Sequence, residues 1–548
     1  MVKTVALGID FGTLSARAVF VDAADGSVLA SADAPYRHGV MSESLPSGES
    51  LPLEYALQLP DDYVDAMTRV VREARAALQS RVGDTVDIIG IGTDFTACTV
   101  FPVDEDGTPL VEKYPERRHA YAKLWKHHAA QDKADKINAL AASRNEPFLA
   151  RYGGKVSSEW TLPKIWEVLD EDPALFDEMD LWVEASDWIV WRLTGVYTRN
   201  ASSAGYKGFF QDDLGYPSDS FLKALDPRLT GVFAKMGGPI LPQGSAAGRL
   251  TEQMADTLGL PAGIPVAVGN IDAHVAFPAV GIGGPGEMLI IMGTSSCHII
   301  VDEHLRIVSG MAGVVRYGVL PGFYAYEAGQ ASVGDMFQAF VDHFVPASYT
   351  KEAEARGLSI HQVLREKCQD QKPGQSGVLA LDWWNGNRSV LVNAHLSGAL
   401  LGLTLQTAPE DIYRALLEAT AYGTRMIVDN YEAHGILVKR IVATGGIAAK
   451  DPLMMQIYAD VLGREIRVAS LAQGPAAGSA IFGTVAAGHC SIAEATGRMG
   501  HTAGTVYRPN EAERARYAEL YQDYVWLHDV LGRERPDLPE KYRQLRGG

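Results

Sequence analysis

Two short strings, "DFGT" (Asp10–Thr13) and "MGTSS" (Met292–Ser296), each set a Gly-Thr pair in a turn between apolar runs. Glycine in such a turn lets the backbone approach an anion, while successive N–H groups and hydroxyls point at its oxygens. Gly12 and Thr13 would do this in the first turn, and Gly293, Thr294 and Ser295 in the second. Asp10, just ahead of the first turn, could hold Mg²⁺ through waters, because that ion dehydrates reluctantly. Taken alone, one such turn reads as an ordinary hairpin with a solvated or capping Asp. Two in matching surroundings make a phosphate clamp competitive. A third string, "GNIDAHVAF", puts Asp272 after a strand and at a helix start. There it is either an N-cap or a carboxylate that accepts a hydroxyl proton in phosphoryl transfer, help worth roughly 10²–10⁴-fold.

"ATGGIAAKDPLMMQ" carries Gly445 and Gly446 between a strand and a helix, either as a tight turn or as room for a nucleoside. "AGYKGFF" and "YEAGQASVGD" contribute Lys207 and Glu327. Ionised groups make the strong hydrogen bonds that a polyhydroxylated ligand calls for; the plainer reading is a surface salt bridge. His127 and His128 in "KLWKHHAA" are expected on a helix, facing different sides, which argues against a joint metal site.

These residues need elements to hold them. Residues 4–30 read as a β-hairpin, 62–82 as an amphipathic helix with apolar residues at helical spacing, and "DIIGIG" as a buried strand. The stretch 120–200 is Trp-rich and helical. Residues 237–270 form a Gly/Pro-rich seam. After it, "GEMLIIMGTSSCHIIVD" repeats the strand–turn–strand of "VALGIDFGTLSARAVFVD", with Thr-to-Asp spacings of 13→22 and 294→302. Residues 441–489 read as strand, Gly-Gly turn, helix, strand and a small-residue helix, "GPAAGSAIFG", expected to be closely packed; 505–548 read as polar and helical. The expected division is 1–268, 269–500 and a C-terminal helical extension, 501–548. Two similar α/β halves would set their glycine turns facing across a cleft.

A chain of 548 residues is too long for a single core. Its 49 Lys and Arg against 67 Asp and Glu give −18, which argues against a nucleic-acid or anionic-membrane binder. Cys98, Cys297, Cys368 and Cys490 are scattered without metal or redox spacing. With no leader-like N-terminus and no apolar run long enough to span a bilayer, a cytoplasmic protein is expected. "GIGGPG" (Gly281–Gly286) precedes a strand rather than opening a helix, so it is no dinucleotide motif, and no P-loop string occurs.

Together the pieces resemble the FGGY carbohydrate kinases of the actin and hexokinase superfamily, over nearly the whole chain. "GIDFGT" looks like the family's first phosphate motif, "MGTSS" the second, and "ATGGIAAKDPLMMQIYADVLG" its adenosine motif. "GALLGLTLQTAPEDIYRALLEATAYG" is close to the C-terminal signature, while the N-terminal one survives loosely in "SSEWTLPKIW". "GTDFTACT", "SSAGYKGFF", "IDAHVAFPAVG", "GTSSCHI", "EAGQASVGD" and "DWWNGNR" are similar to the branch that acts on L-ribulose. The resemblance implies an α/β fold of two actin/hexokinase-like (ribonuclease H-like) domains, with mixed sheets flanked by helices and the active site in the interdomain cleft. It implies ATP-dependent phosphorylation of the C5 hydroxyl of L-ribulose in L-arabinose catabolism. Asp272 becomes the general base. Thr96 or Ala97, Lys207, Asp272 and Glu327 contact sugar. Gly12, Thr13, Gly293, Thr294, Gly446 and Lys450 contact nucleotide. Lys450 departs from the Asn or Ser usual there, and His127 from a usual Asp. The partners implied are a sugar, ATP and Mg²⁺, and a homodimer stays open. Another pentulose or a pentitol (D-ribulose, xylulose, ribitol) is the alternative substrate; a non-catalytic actin-like nucleotide binder is the alternative class.

Overall fold

The computed structural model describes residues 3–83, 86–469 and 473–547. β1 (Lys3–Phe11) and β2 (Ser15–Asp22) form the expected hairpin, and β3 (Val28–Pro35) extends it into a meander. α1 (Pro60–Val82) then crosses that meander. Proline suits its first turn, Asp61 and Asp62 follow, and Gly83 ends it at φ 80°. Its buried face, including Tyr63, Met67, Val70, Val71, Ala74 and Leu78, keeps the helical spacing seen in the sequence. β4 (Val86–Phe95) returns parallel to β1. The helical stretch beyond it includes α2 (Thr161–Glu171) and α3 (Ala201–Tyr206). β5 (Ala246–Arg249), β6 (Pro265–Ala267) and β7 (Asn270–Ile271) complete a sheet ordered β5-β6-β4-β1-β2-β3, with β7 also beside β4.

α4 (Asp272–Ala279) leads to the second sheet. It contains β8 (Glu287–Met292), β9 (Ser296–Asp302), β10 (Gly313–Arg316) and β11 (Tyr324–Gln330). The long helix α5 (Pro409–Ala433) precedes β12 (Arg440–Thr444), α6 (Gly446–Lys450), α7 (Pro452–Leu462) and β13 (Ile466–Ala469). The sheet order is β10-β11-β9-β8-β12-β13-β14, where β14 is Gly504–Tyr507. In each sheet one central strand, β1 or β8, pairs antiparallel with the next strand and parallel with a later one, β4 or β12. The sequence echo is thus a repeat of topology. α8 (Gly474–Ala486) comes from the second half yet lies on β1 and β4 of the first sheet. The final helices include α9 (Glu511–Asp529), whose Tyr517, Tyr521 and Tyr524 are buried against the second core.

Glycines permit the close approach of α8. A Cβ on Gly8 would stand 1.8 Å from Ala476 O, one on Gly92 1.9 Å from Ser479 O, and one on Gly478 2.0 Å from Val275 O of α4. The small-residue helix is closely packed, as its composition suggests. Overpacking costs about 1–3 kcal/mol even where side chains can yield, and here the obstruction is backbone. Gly92→Ala should therefore lower the urea unfolding midpoint by at least that much free energy; an unchanged midpoint would contradict the packing described.

Candidate active site

Strand register gathers the site. Phe95 of β4 lies opposite both Phe11 of β1 and Ile271 of β7. The next residues, Gly12, Thr96 and Asp272, therefore leave three adjacent strands at one carboxyl edge, where open α/β sheets place their ligands. In the second sheet Ile291 pairs with Thr444, so the turns beginning at Gly293 and Gly445 also leave side by side. Gly12 N donates to Ser15 O at 3.0 Å and Gly293 N to Ser295 O at 2.9 Å. The second turn is one residue tighter, which accounts for the shorter Thr-to-Asp spacing in that half.

Asp10 is 3% exposed, so it is not a solvated turn residue. Its Oδ2 accepts from Arg17 Nη1 at 3.2 Å. Burial raises its carboxyl above the usual range, opposed by a hydrogen bond from Asp94 and the Arg17 charge. Asp94 pairs with Asp10 across β1 and β4, and its Oδ2 accepts from Ser479 Oγ of α8 at 2.5 Å. Burial and the Asp10 charge push Asp94 well above the carboxylate range, as when two acids share one site. Asp272 is the first residue of α4, with Ile271 in the cap position. Its Oδ1 accepts the Ala273 N–H at 2.7 Å, and the residue is half-buried. Burial, then the charge of Asp10, raises it to about 7, with Glu327 adding to the shift and the Ala273 N–H opposing it. A carboxylate tuned near neutrality is a competent proton acceptor.

Lys207, just past α3, and Glu327, on β11, are each 6% exposed. They come from opposite halves, with Nζ 3.9 Å from Oε1; a surface salt bridge is excluded. Glu327 Oε1 is also 3.3 Å from Arg388 Nη2, and its Oε2 is 3.2 Å from His274 Nε2. His274 Nδ1 in turn lies 2.7 Å from Ser202 Oγ. Burial would raise Glu327, but the Lys207 charge, the His274 hydrogen bond and the Arg388 charge outweigh it and hold the carboxyl far below its usual range. Glu327 is a fixed anion among cationic and polar groups. Ala97 packs on the apolar cluster that also takes Ala273 and Cys297, while Thr96 Oγ1 is 2.9 Å from Thr99 Oγ1.

On the other side, Gly293 and Thr294 are exposed and Ser295 partly so. Gly445 has φ 101°, and a Cβ there would meet Met292 O at 2.3 Å, so only glycine fits. Gly446 opens α6 onto empty space. Lys450 ends α6, exposed, with its backbone O accepting from Arg365 Nη1 at 2.7 Å. Thr13 is held twice: its Oγ1 accepts from Trp125 Nε1 at 3.2 Å, its O from Gln58 Nε2 at 2.8 Å.

His127 and His128 lie in a loop between turns, not on a helix. His127 is buried, with Nε2 2.9 Å from Glu167 Oε2 and Nδ1 accepting the Ala56 N–H at 3.3 Å. Burial, helped by the Lys123 charge, lowers it to about 3, so the ring is neutral. Three residues of this cluster do not stand out in the sequence: Asp94, His274 and Arg388. Arg388 ends the string "LDWWNGNR", where a cation beside a glycine turn is the available signal. Asp94 and His274 emerge only once strand register and α4 are known.

The N-terminal domain of the FGGY family of carbohydrate kinases matches residues 5–279, and the family's C-terminal domain matches 288–487. A ribulokinase of Halalkalibacterium halodurans is 50% identical, covering 98% of this chain and 97% of that protein. One from Mycolicibacterium smegmatis is 49% identical, covering 98% and 96%. In fold, xylulose kinase from Rhodospirillum rubrum superposes with a TM-score of 0.78 at 24% identity, over 96% of this chain and 98% of that one. Gluconate kinase from Lactobacillus acidophilus gives 0.81 at 17% identity, over 98% and 100%. With both domains matched and near full-length relatives at half identity, the chain belongs to the FGGY family of carbohydrate kinases, enzymes that phosphorylate sugars with ATP.

Proposed function

We propose that this kinase transfers the γ-phosphoryl group of ATP to the C5 hydroxyl of L-ribulose, giving L-ribulose 5-phosphate and ADP, as a cytoplasmic step of L-arabinose catabolism. The observation that carries the reading is Asp272, raised to about 7 beside the fixed anion Glu327 and at the same strand edge as the first glycine turn. Relatives at about 50% identity named ribulokinase support a ribulose as the sugar, and the strings similar to the L-ribulose branch support the L form. Lys207, Glu327 and the Thr96–Ala97 loop bind and orient the ketopentose, and Asp272 takes the C5–OH proton as that oxygen bonds to phosphorus. Amides of the turns at Gly12–Thr13 and Gly293–Ser295 cradle the phosphates; Gly445, Gly446 and Lys450 border the nucleoside. Among the described residues no group of three His, Cys, Asp or Glu side chains could cage a metal. A Mg²⁺ ion would be held by nucleotide oxygens and, through water, by the carboxylate of Asp10, and would offset phosphate charge there. Residues 1–268 and 269–500 would close over the cleft and exclude water.

A coupled assay of ADP release over L-ribulose, D-ribulose, xylulose and ribitol tests this. The highest kcat/KM should fall on L-ribulose, and a clear preference for another member would overturn the substrate. Because Asp272 acts ionised, kcat/KM should fall as pH drops through its pKa, about 7 where the Asp10 charge is uncompensated, and level off above it. Neutralising Asp10, by a cation or by Asp10→Asn, should move that fall to lower pH, since the Asp10 charge is part of the cause.

A further inference from the structure

We propose that Lys164 is a positioning residue that locks the sugar-side loop and the first phosphate turn into one fixed relation; this rests on the proposed roles of the cleft residues. Lys164 lies on α2 with no exposed surface. It belongs to "SSEWTLPKIW", a string the proposed chemistry leaves without a task. Its Nζ donates to Cys98 O at 2.7 Å and to Leu124 O at 2.6 Å, with Lys123 O at 3.5 Å. A lysine ammonium carries three donors and no acceptor, so one head group can bind two separate stretches of backbone.

The two stretches lead to opposite ends of the reaction. Cys98 follows Ala97 in the loop after β4 and sits at φ 60°, a left-handed conformation that a side-chain-bearing residue keeps only when its surroundings impose it. That loop is also restrained by the Thr96 N–H donated to Phe11 O at 3.3 Å, the Thr96–Thr99 hydroxyl contact and the Ala185 N–H donated to Thr99 O at 2.8 Å. Leu124 immediately precedes Trp125, whose indole N–H reaches Thr13 Oγ1 in the phosphate turn. One ammonium thus stands a single residue from Ala97 on one side and a single residue from Trp125 on the other. Attack of a hydroxyl on phosphorus depends on holding both partners in a near-attack geometry. Lys164 is placed to set that geometry without touching either substrate.

The test uses full-length Lys164→Met, which keeps length and removes the donors, and Lys164→Arg, which keeps charge and donors. Sugar and ATP are varied in the ADP-release assay, and amide hydrogen exchange is followed at 96–99 and 123–125. In Lys164→Met the KM for L-ribulose should rise tenfold or more and kcat should fall with it. Both segments should exchange faster together, while β8 keeps wild-type protection. Lys164→Arg should fall in between. An unchanged KM with only a lowered thermal midpoint would make Lys164 merely structural, and loosening of one segment alone would sever the proposed link. If Lys164→Met does not fold, the arginine variant and its exchange pattern decide. Wild-type enzyme silent toward L-ribulose would overturn the substrate reading instead, and the exchange comparison would still judge Lys164.

Discussion

Asp272→Asn should cut sugar-dependent ADP release by roughly 10²–10⁴-fold, the range for loss of a positioned general base. The amide keeps the shape of the carboxylate and still accepts the Ala273 N–H, so α4 should begin as before. It cannot take a proton. It also removes one negative charge near Asp10 and Glu327, both of which raise Asp272 itself. Binding of either substrate should therefore hold or tighten while kcat collapses, and the fall in activity near pH 7 should vanish from the residual rate. Near-wild-type turnover would remove Asp272 from the proton-transfer step.

Glu327→Ala should act on the sugar. A hydrogen bond to a charged group is worth about 1.5–3 kcal/mol, so the sugar KM should rise ~10- to 150-fold, with the ATP KM nearly unchanged. The variant also strips the counter-charge from Lys207 and Arg388, one of them buried, so the unfolding midpoint should fall as well. Glu327→Gln separates the two effects. It restores an acceptor of the same shape toward His274 without the charge, and should recover more stability than sugar affinity. Steady-state kinetics beside a urea titration would show this, and an equal rise in both KM values would place Glu327 outside the sugar pocket.

Local features are the readable ones. Two Gly-Thr turns between apolar strands, the 3.6-residue spacing of α1 and the small-residue run of α8 announce their structures because neighbouring residues determine them. The surroundings of each charge are not readable in the same way. Asp10 looks like a solvated turn carboxylate until β4 lays Asp94 beside it and α8 covers both. Lys207 and Glu327 look like exposed charges until α3 and β11, from different halves, bring them together. His127 looks helical in its string, whereas in the fold it lies in a loop with its ring against Glu167, a distant partner. Register, burial and pairing across the two halves are properties of the assembled chain.

The glycine-lined contact of α8 with β1 and β4 also sets an order of events during synthesis. β1 leaves the ribosome long before residues 474–486 do. Until they arrive, Ala6, Val19 and Val21 lack Ala476, Ala477, Ala480 and Ile481, the residues they finally pack against. The strands that bear Asp10 and its neighbours are made well before the helix that covers them, so the nascent chain carries one bare face until α8 is synthesised. N-terminal domains commonly fold ahead of the domains translated after them; here the first lobe has to wait, and chaperone demand should concentrate on it until α8 emerges.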